Sequence, residues 1–203
     1  MAIHLHAGDL PEGLSFGDSV AIDSEAMGLN PHRDALTVVQ LSAGDGDAHI
    51  VQLRRDYDAP NLKRLLADPG VLKLLHFARF DVAMFMHYLG VETRPIYCTK
   101  IASKLARTYT DRHGLKDVTR ELLGLELSKQ QQSSDWGADL LSPEQLNYAA
   151  SDVLSLHALK GRLDIMLERE GRTALAQACF DFLPVRAGLD LAGWADQDIF
   201  AHS

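Results

Sequence analysis

The sequence is short of cysteine: Cys98 and Cys179 are the only two in 203 residues, far apart and in apolar surroundings. That excludes a disulfide scaffold and a Cys/His zinc framework, and implies two buried free thiols in a reducing cytoplasm. No stretch approaches the roughly 18 consecutive apolar residues of a membrane span, so no membrane association is expected. The start, MAIHLHAGDLPEG, lacks the basic residues and apolar run of a signal peptide. Linkers and repeats are missing too, so a single domain over residues 1–203 is expected. Positive charge is scarce: 20 Lys+Arg against 28 Asp+Glu leave a net charge of −8. A protein that grips long nucleic acid through many phosphates shows a basic footprint. An acidic chain can take such a ligand only if the strand is short or if metal ions locally offset its carboxylates.

What is present reads as an α/β chain. Residues 19–24 (SVAIDS) form a short apolar run ending in acid, a strand. The β-rich runs 37–42 and 48–53 flank Gly44-Asp45-Gly46-Asp47, a hairpin signal. Pro60 opens a helix over 60–68 that Pro69-Gly70 stops, residues 71–77 read as a buried strand, and 81–89 form an amphipathic helix ended by Gly90. From Thr99 onward the spacing is helical. Ser142-Pro143-Glu144-Gln145 is a strong helix start, with a capping serine, proline in the first turn and glutamine three residues after the cap. That helix is predicted to run to Glu170, before Gly171. Strands first and helices later, with one strand–helix crossover, predict a mixed central sheet flanked by helices and a helical C-terminal half.

Three short patterns carry chemistry. In Asp23-Ser24-Glu25 the two acids, at i and i+2 on a strand, point to one face and repel unless a cation lies between them. Taken alone, the same pattern also fits a strand that simply ends in solvent. Asp81, in His76-Phe77-Ala78-Arg79-Phe80-Asp81, falls where a buried strand meets its helix; alone, it fits a helix-start acid favoured by the macrodipole. Tyr148 and Asp152, at i and i+4, share one face of the helix that Ser142 opens. Apolar neighbours predict a partly buried Asp152, and a buried carboxylate without a partner is costly. Together, four carboxylates from three elements supply hard oxygen ligands for two Mg2+ or Mn2+ ions, the pair that clamps attacking and leaving oxygens in phosphoryl displacement.

The order D-x-E, then Asp in H-F-x-x-x-D, then Y-x-x-x-D resembles the tyrosine subtype of the DEDD exonuclease superfamily, nearest RNase D. Residues 127–152 (LSKQQQSSDWGADLLSPEQLNYAASD) are similar to its Lys/Gln-rich stretch, S-D-W and L-S-x-x-Q-x-x-Y-A-A-x-D helix. The stretches 28–34 (GLNPHRD), 98–116, 128–136 and 193–203 (GWADQDIFAHS) extend the resemblance over nearly the full length to the stand-alone nanoRNase C branch, which lacks the helical C-terminal domains of RNase D. The resemblance implies a ribonuclease-H-like fold, a ring-shaped homo-octamer, and 3′-to-5′ hydrolysis of short RNA, diribonucleotides preferred, including pGpG. A broader exonuclease acting on longer RNA or DNA stays open as the alternative. A binding module that has lost its metals is disfavoured, because all four acids and Tyr148 are present. One departure is D-S-E where D-T-E is usual; Ser24 points away from both acids, so no change in activity is expected.

By this resemblance Asp23, Glu25, Asp81 and Asp152 are the metal ligands, with Asp23 bridging, and Tyr148 orients the attacking water. A tyrosine of ordinary pKa, about 10, is a poor base at neutral pH. Leu29 is expected to wedge against the terminal bases, although an apolar loop residue is also ordinary packing. His76, Phe77 and Phe80 are placed at sugar and base, with strand-end core packing as the competing role, strongest for Phe77. Residues 99–129 hold seven Lys/Arg against four acids, which equally fits a solvated helix face. Within them Tyr109, Arg112, His113 and Lys116 are the candidate phosphate contacts, and Gln132 and Ser133, beside Gln130 and Gln131, are candidate polar contacts near the 3′ end. Trp136 is expected to fill the core beside the catalytic helix. The apolar ending with Trp194, Ile199 and Phe200 is expected to dock on a neighbouring subunit or on its own core.

Overall fold

The computed structural model describes residues 2–128 and 130–202. Its centre is a six-stranded sheet in the order β1-β4-β3-β2-β5-β6, formed by Ile3–Ala7, Ser19–Ala26, Leu36–Ser42, Ala48–Gln52, Leu72–Leu75 and Ile96–Cys98, numbered β1 to β6 along the chain. β2, β3 and β4 make an antiparallel meander, whereas β1 adds parallel to β4, and β5 and β6 add parallel on the far side of β2. The sheet is therefore mixed, as expected. The crossover from β4 to β5 runs through α1 (Pro60–Ala67), whose Leu62 and Leu66 are buried. The edge strands β1 and β6 went unread: one alternates histidine with aliphatics at an exposed edge, and the other is only three residues long.

Residues on β3 and β4 divide between two apolar clusters. Val39, Leu41 and Val51 join the main core, while Val38 and Ile50 pack with Trp136, Leu141 and Ala149. Alternation along the strands puts these sets on opposite faces. The second face is covered by α5 (Pro143–Leu154), which lies across β1 to β4. Its start is a reciprocal capping box: Gln145 N–H donates to Ser142 Oγ, and Ser142 N–H to Gln145 Oε1.

The helix predicted over 142–170 is broken. α5 ends at Leu154, and α6 (Leu156–Arg169) starts anew beyond Ser155. α5 packs on the β1–β4 side; α6 leans on β5 and on α3 (Thr99–Ala106) and α4 (Leu115–Leu123). The break lets both halves bury their apolar faces. The helix after β5 begins three residues earlier than expected, with α2 spanning Ala78–Met84 before a π-helical turn, Phe85–Leu89, that Gly90 closes. Asp81 thus sits inside the first turns. α7 (Thr173–Leu189) packs on α2 and β6. Cys98 is buried as expected, but Cys179 is half-buried.

Candidate active site

β2 carries two acids out of the core at its end, where a register shift at Glu25/Ala26 loosens its pairing with β3. Asp23 stands opposite Gln40 in the β2–β3 register, and Gln40 Nε2 donates to Asp23 Oδ2 at 2.6 Å. α5 brings Tyr148 and Asp152 over the same face, one turn apart. Carboxylate oxygens of Asp23, Glu25 and Asp152 all lie within 4.8 Å of one another. Asp81 comes from α2: Ser24 Oγ, on the opposite pleat from Asp23 and Glu25, donates to Asp81 Oδ1 at 2.6 Å. Ser24 faces away from its two neighbours as expected, yet its hydroxyl fixes the fourth carboxylate.

All four acids hold their protons more tightly than usual. Burial raises Asp23 most, and Asp81, Asp152 and Glu25 reinforce it. Burial, then Asp152 and Asp81, push Glu25 up to about 9. Burial lifts Asp81 and Asp152 to about 7, against hydrogen bonds from Ser24 and Tyr148 that pull the other way. Among the described residues, no basic side chain contributes to any of these shifts. Converging oxygen donors whose mutual repulsion no Lys or Arg relieves are the donor set of a hard divalent cation, so the residues present fit Mg2+ or Mn2+. Burial and the surrounding carboxylates also raise the Tyr148 phenol, which stays protonated and hydrogen-bonds Asp152. Protonated, its hydroxyl is available as a donor.

Asp23, Glu25 and Asp152 line a cleft of about 640 Å³, whereas Asp81 is buried and is not among its lining residues. One wall is the loop after β2. There the buried Asp34 carboxylate accepts from Asn30 N–H at 2.9 Å and from Arg33 Nε and Nη2, and a Cβ on Gly28 would lie 2.3 Å from Asp34 Oδ2. Only glycine fits, and the loop so held leaves Leu29 85% exposed on the cleft wall. His76 and Phe80 line the cleft as well. Burial pushes His76 down to about 3, and its Nδ1 is hydrogen-bonded with Thr99 Oγ1 at 2.9 Å, so it meets a ligand as a neutral ring. Lys116, Gln132 and Ser133 complete the expected residues that line the cleft.

Other expected contacts lie elsewhere. Phe77, where core packing was the competing role, is neither in the core nor in the cleft lining. It is 46% exposed in the left-handed region at φ 68°, with Lys100 Nζ 4.2 Å above its ring. Tyr109 donates to Glu121 Oε1 at 2.6 Å, the Arg112 carbonyl accepts from Arg107 Nη1, and His113 Nδ1 pairs with Ser103 Oγ at 2.9 Å. None of these three lines the cleft of this chain. Lys129 lies outside the described residues. Trp136 fills the core beside α5 as expected, 2% exposed, with its ring 6.0 Å from that of Tyr148. Lys100 lines the cleft but was counted only in the basic stretch. Gln40 was passed over; its signal was a polar residue amid the apolar run TVVQLS.

The sequence profile of the 3′-5′ exonucleases matches residues 7–168, and the chain belongs to that family. Ribonuclease D of Granulibacter bethesdensis is 36% identical over 155 residues, which cover 76% of this chain and 39% of that protein. The chain thus spans about two fifths of the length of the curated relatives it matches first. Two solved structures of Brucella melitensis NrnC, one with bound Mg2+ and one bound to pGG, are each similar over 100% of both chains, at 56% identity and a TM-score of 0.96. Escherichia coli RNase D shares the fold, with a TM-score of 0.75 at 24% identity over 84% of this chain and 45% of that one. Within that family the chain is similar over its whole length to Brucella melitensis NrnC.

Proposed function

We propose that this chain is a single catalytic domain that hydrolyses short RNA from its 3′ end to mononucleotides, with diribonucleotides, including pGpG, as preferred substrates. The observation that carries this is the convergence of Asp23, Glu25 and Asp152 oxygens in a cleft whose wall presents Leu29. The full-length similarity to a protein bound to pGG supports the dinucleotide preference. Asp23, Glu25, Asp81 and Asp152 would hold two divalent cations, Mg2+ or Mn2+. Bound there, the ions would supply water activation and charge stabilisation for an in-line displacement. Tyr148, held protonated, orients the attacking water through its hydroxyl. Leu29 and Phe80 pack against the bases, and neutral His76 hydrogen-bonds the sugar. Lys116, joined by Lys100, faces the phosphate of the second nucleotide, with Gln132 and Ser133 as polar contacts.

The same reading includes a cytoplasmic location and a homo-octameric ring. Trp194, Ile199 and Phe200 stay 43%, 47% and 75% exposed, while the backbone of Trp194 and Ala195 is tied to Arg186 and Arg79. A neighbouring copy would cover these side chains. Light scattering should give an octamer mass that falls when residues 194–203 are deleted; an unchanged mass counts against the tail's role.

The decisive assay is a time course with Mn2+ or Mg2+ on 5′-labelled RNAs of two to seven nucleotides, with Asp23→Asn as control. Much faster cleavage of the dinucleotide is expected. Equal shortening of the seven-mer would favour general processing of longer RNA or DNA.

A further inference from the structure

Gln40 lies in the middle of β3, in an otherwise apolar run, and is fully buried. A valine or leucine would serve the sheet at least as well. The carboxamide instead sets Nε2 2.6 Å from Asp23 Oδ2 and also hydrogen-bonds Glu25, while its own Oε1 is buried without a hydrogen-bond partner. Buried polar atoms are normally satisfied, and an orphan calls for an explanation. Here the amide N–H side faces the carboxylates of Asp23 and Glu25, and the carbonyl is left behind. The opposite amide orientation would turn Oε1 against two carboxylates, so only this one is consistent with its neighbours.

We infer that Gln40 is a positioning residue that sets the divalent-cation affinity of the site by holding Asp23 and Glu25 in ligand orientation. A neutral double donor fixes two carboxylates and leaves their charge for the ion. A lysine or arginine there would orient them equally well but would compete with the cation by neutralising them. A purely apolar residue would leave both side chains free to rotate apart under their own repulsion. Outer partners of this kind tune metal affinity without touching the metal. The inference rests on the proposed metal-dependent reading of the site.

The test is Mn2+ binding to the full chain by calorimetry, alongside activity titrated against Mn2+, for wild type and Gln40→Met. Methionine keeps the length and volume and removes both donors. The Kd for Mn2+ should rise about 10- to 100-fold. The activation curve should shift by the same factor, while kcat at saturating Mn2+ returns to within a few-fold of wild type. A merely structural glutamine would lower the metal-free melting temperature and leave the Mn2+ Kd where it was, which would overturn the inference. If Gln40→Met melts too low to assay, Gln40→Asn retains the amide but withdraws it from both carboxylates. It should show the same direction of shift, and an unshifted Kd there is equally fatal. Wild-type protein that binds no Mn2+ would sink the metal reading itself; wild type that binds, with variants binding equally, sinks only the role of Gln40.

Discussion

The floor of the cleft and its rim are built in opposite ways. The floor is overdetermined: each acid sits on a strand or helix whose register is fixed by core packing, and Gln40, Ser24 and Tyr148 hold the acids by side-chain hydrogen bonds. The rim is made of loops. Leu29 projects from the loop after β2, Lys116 lies at the start of α4, and Gln132 and Ser133 lie in the turns before α5. The floor also carries charge that its own fold does not neutralise, whereas the basic loop beyond the rim satisfies itself through Arg107, which bonds Glu121, Ser103 and the Arg112 carbonyl. Repulsion stored on rigid elements suits ion binding, and adaptable loops suit a ligand that must enter and leave.

Breaking the floor should have the largest effect. Asp23→Asn or Asp152→Asn should cut turnover at least about 100-fold, beyond what loss of an outer partner costs, with the circular dichroism spectrum unchanged. Residual activity of several per cent in either would contradict shared metal catalysis. The same substitutions test the stored repulsion. Glu25, Asp81 and Asp152 have pKa values of about 9, 7 and 7 in the folded chain, against ordinary values of 4.5, 3.8 and 3.8. A raised acid costs no stability below its unfolded pKa and becomes a growing penalty as pH climbs to its folded one. The metal-free protein should therefore lose melting temperature between about pH 4 and pH 9. Mn2+ should flatten that slope, and metal-free Asp152→Asn should show a shallower one. An identical slope in the variant would mean that the acids are not in conflict.

Tyr148→Phe comes next, with an expected 10- to 100-fold loss in kcat, the usual range for outer-sphere partners, and little change in KM. Because burial and nearby carboxylates keep the phenol protonated, the variant's pH–rate profile should parallel the wild type's. A wild-type limb rising toward pH 10 that vanishes in the variant would restore the tyrosine as a base.

The contrast between floor and rim also explains what could be read from the chain. Asp23, Glu25, Tyr148 and Asp152 were legible because periodicity alone puts i and i+2 on one strand face and i and i+4 on one helix face. The cap at Ser142 was legible for the same local reason. The break at Ser155 was not: no glycine or proline marks it, and apolar spacing continues through Leu154, Leu156 and Leu159. It arises from where two helix halves find partners. Phe77 fits neither its expected contact with sugar and base nor the competing core role, because a left-handed backbone goes with an exposed side chain outside the cleft lining. Gln40 needed the β2–β3 register, which sequence does not supply.

Leu29→Ala sharpens the comparison on the rim side. It should raise KM for a dinucleotide roughly tenfold, the worth of partly burying a leucine side chain, and leave the melting temperature unchanged because Leu29 is exposed. Asp34→Asn should loosen the same loop and mimic part of that effect without touching the ligand. Unchanged kinetics in Leu29→Ala would remove the wedge.

The smallest expected effect separates two groups of cations. Lys100 and Lys116 line the cleft, whereas Arg112 is exposed outside it. Lys100→Ala or Lys116→Ala should weaken a 5′-phosphorylated dinucleotide a few-fold more than its unphosphorylated counterpart, as expected for one partly screened charge contact of about 1 kcal/mol. Arg112→Ala should leave that ratio at one if a single chain makes the whole site. If Arg112→Ala instead matches Lys116→Ala, the 109–113 loop reaches the ligand of a neighbouring copy. Mixing an Asp23→Asn protein with an Arg112→Ala protein would then restore activity in trans, and the rim, unlike the floor, would be a property of the assembly.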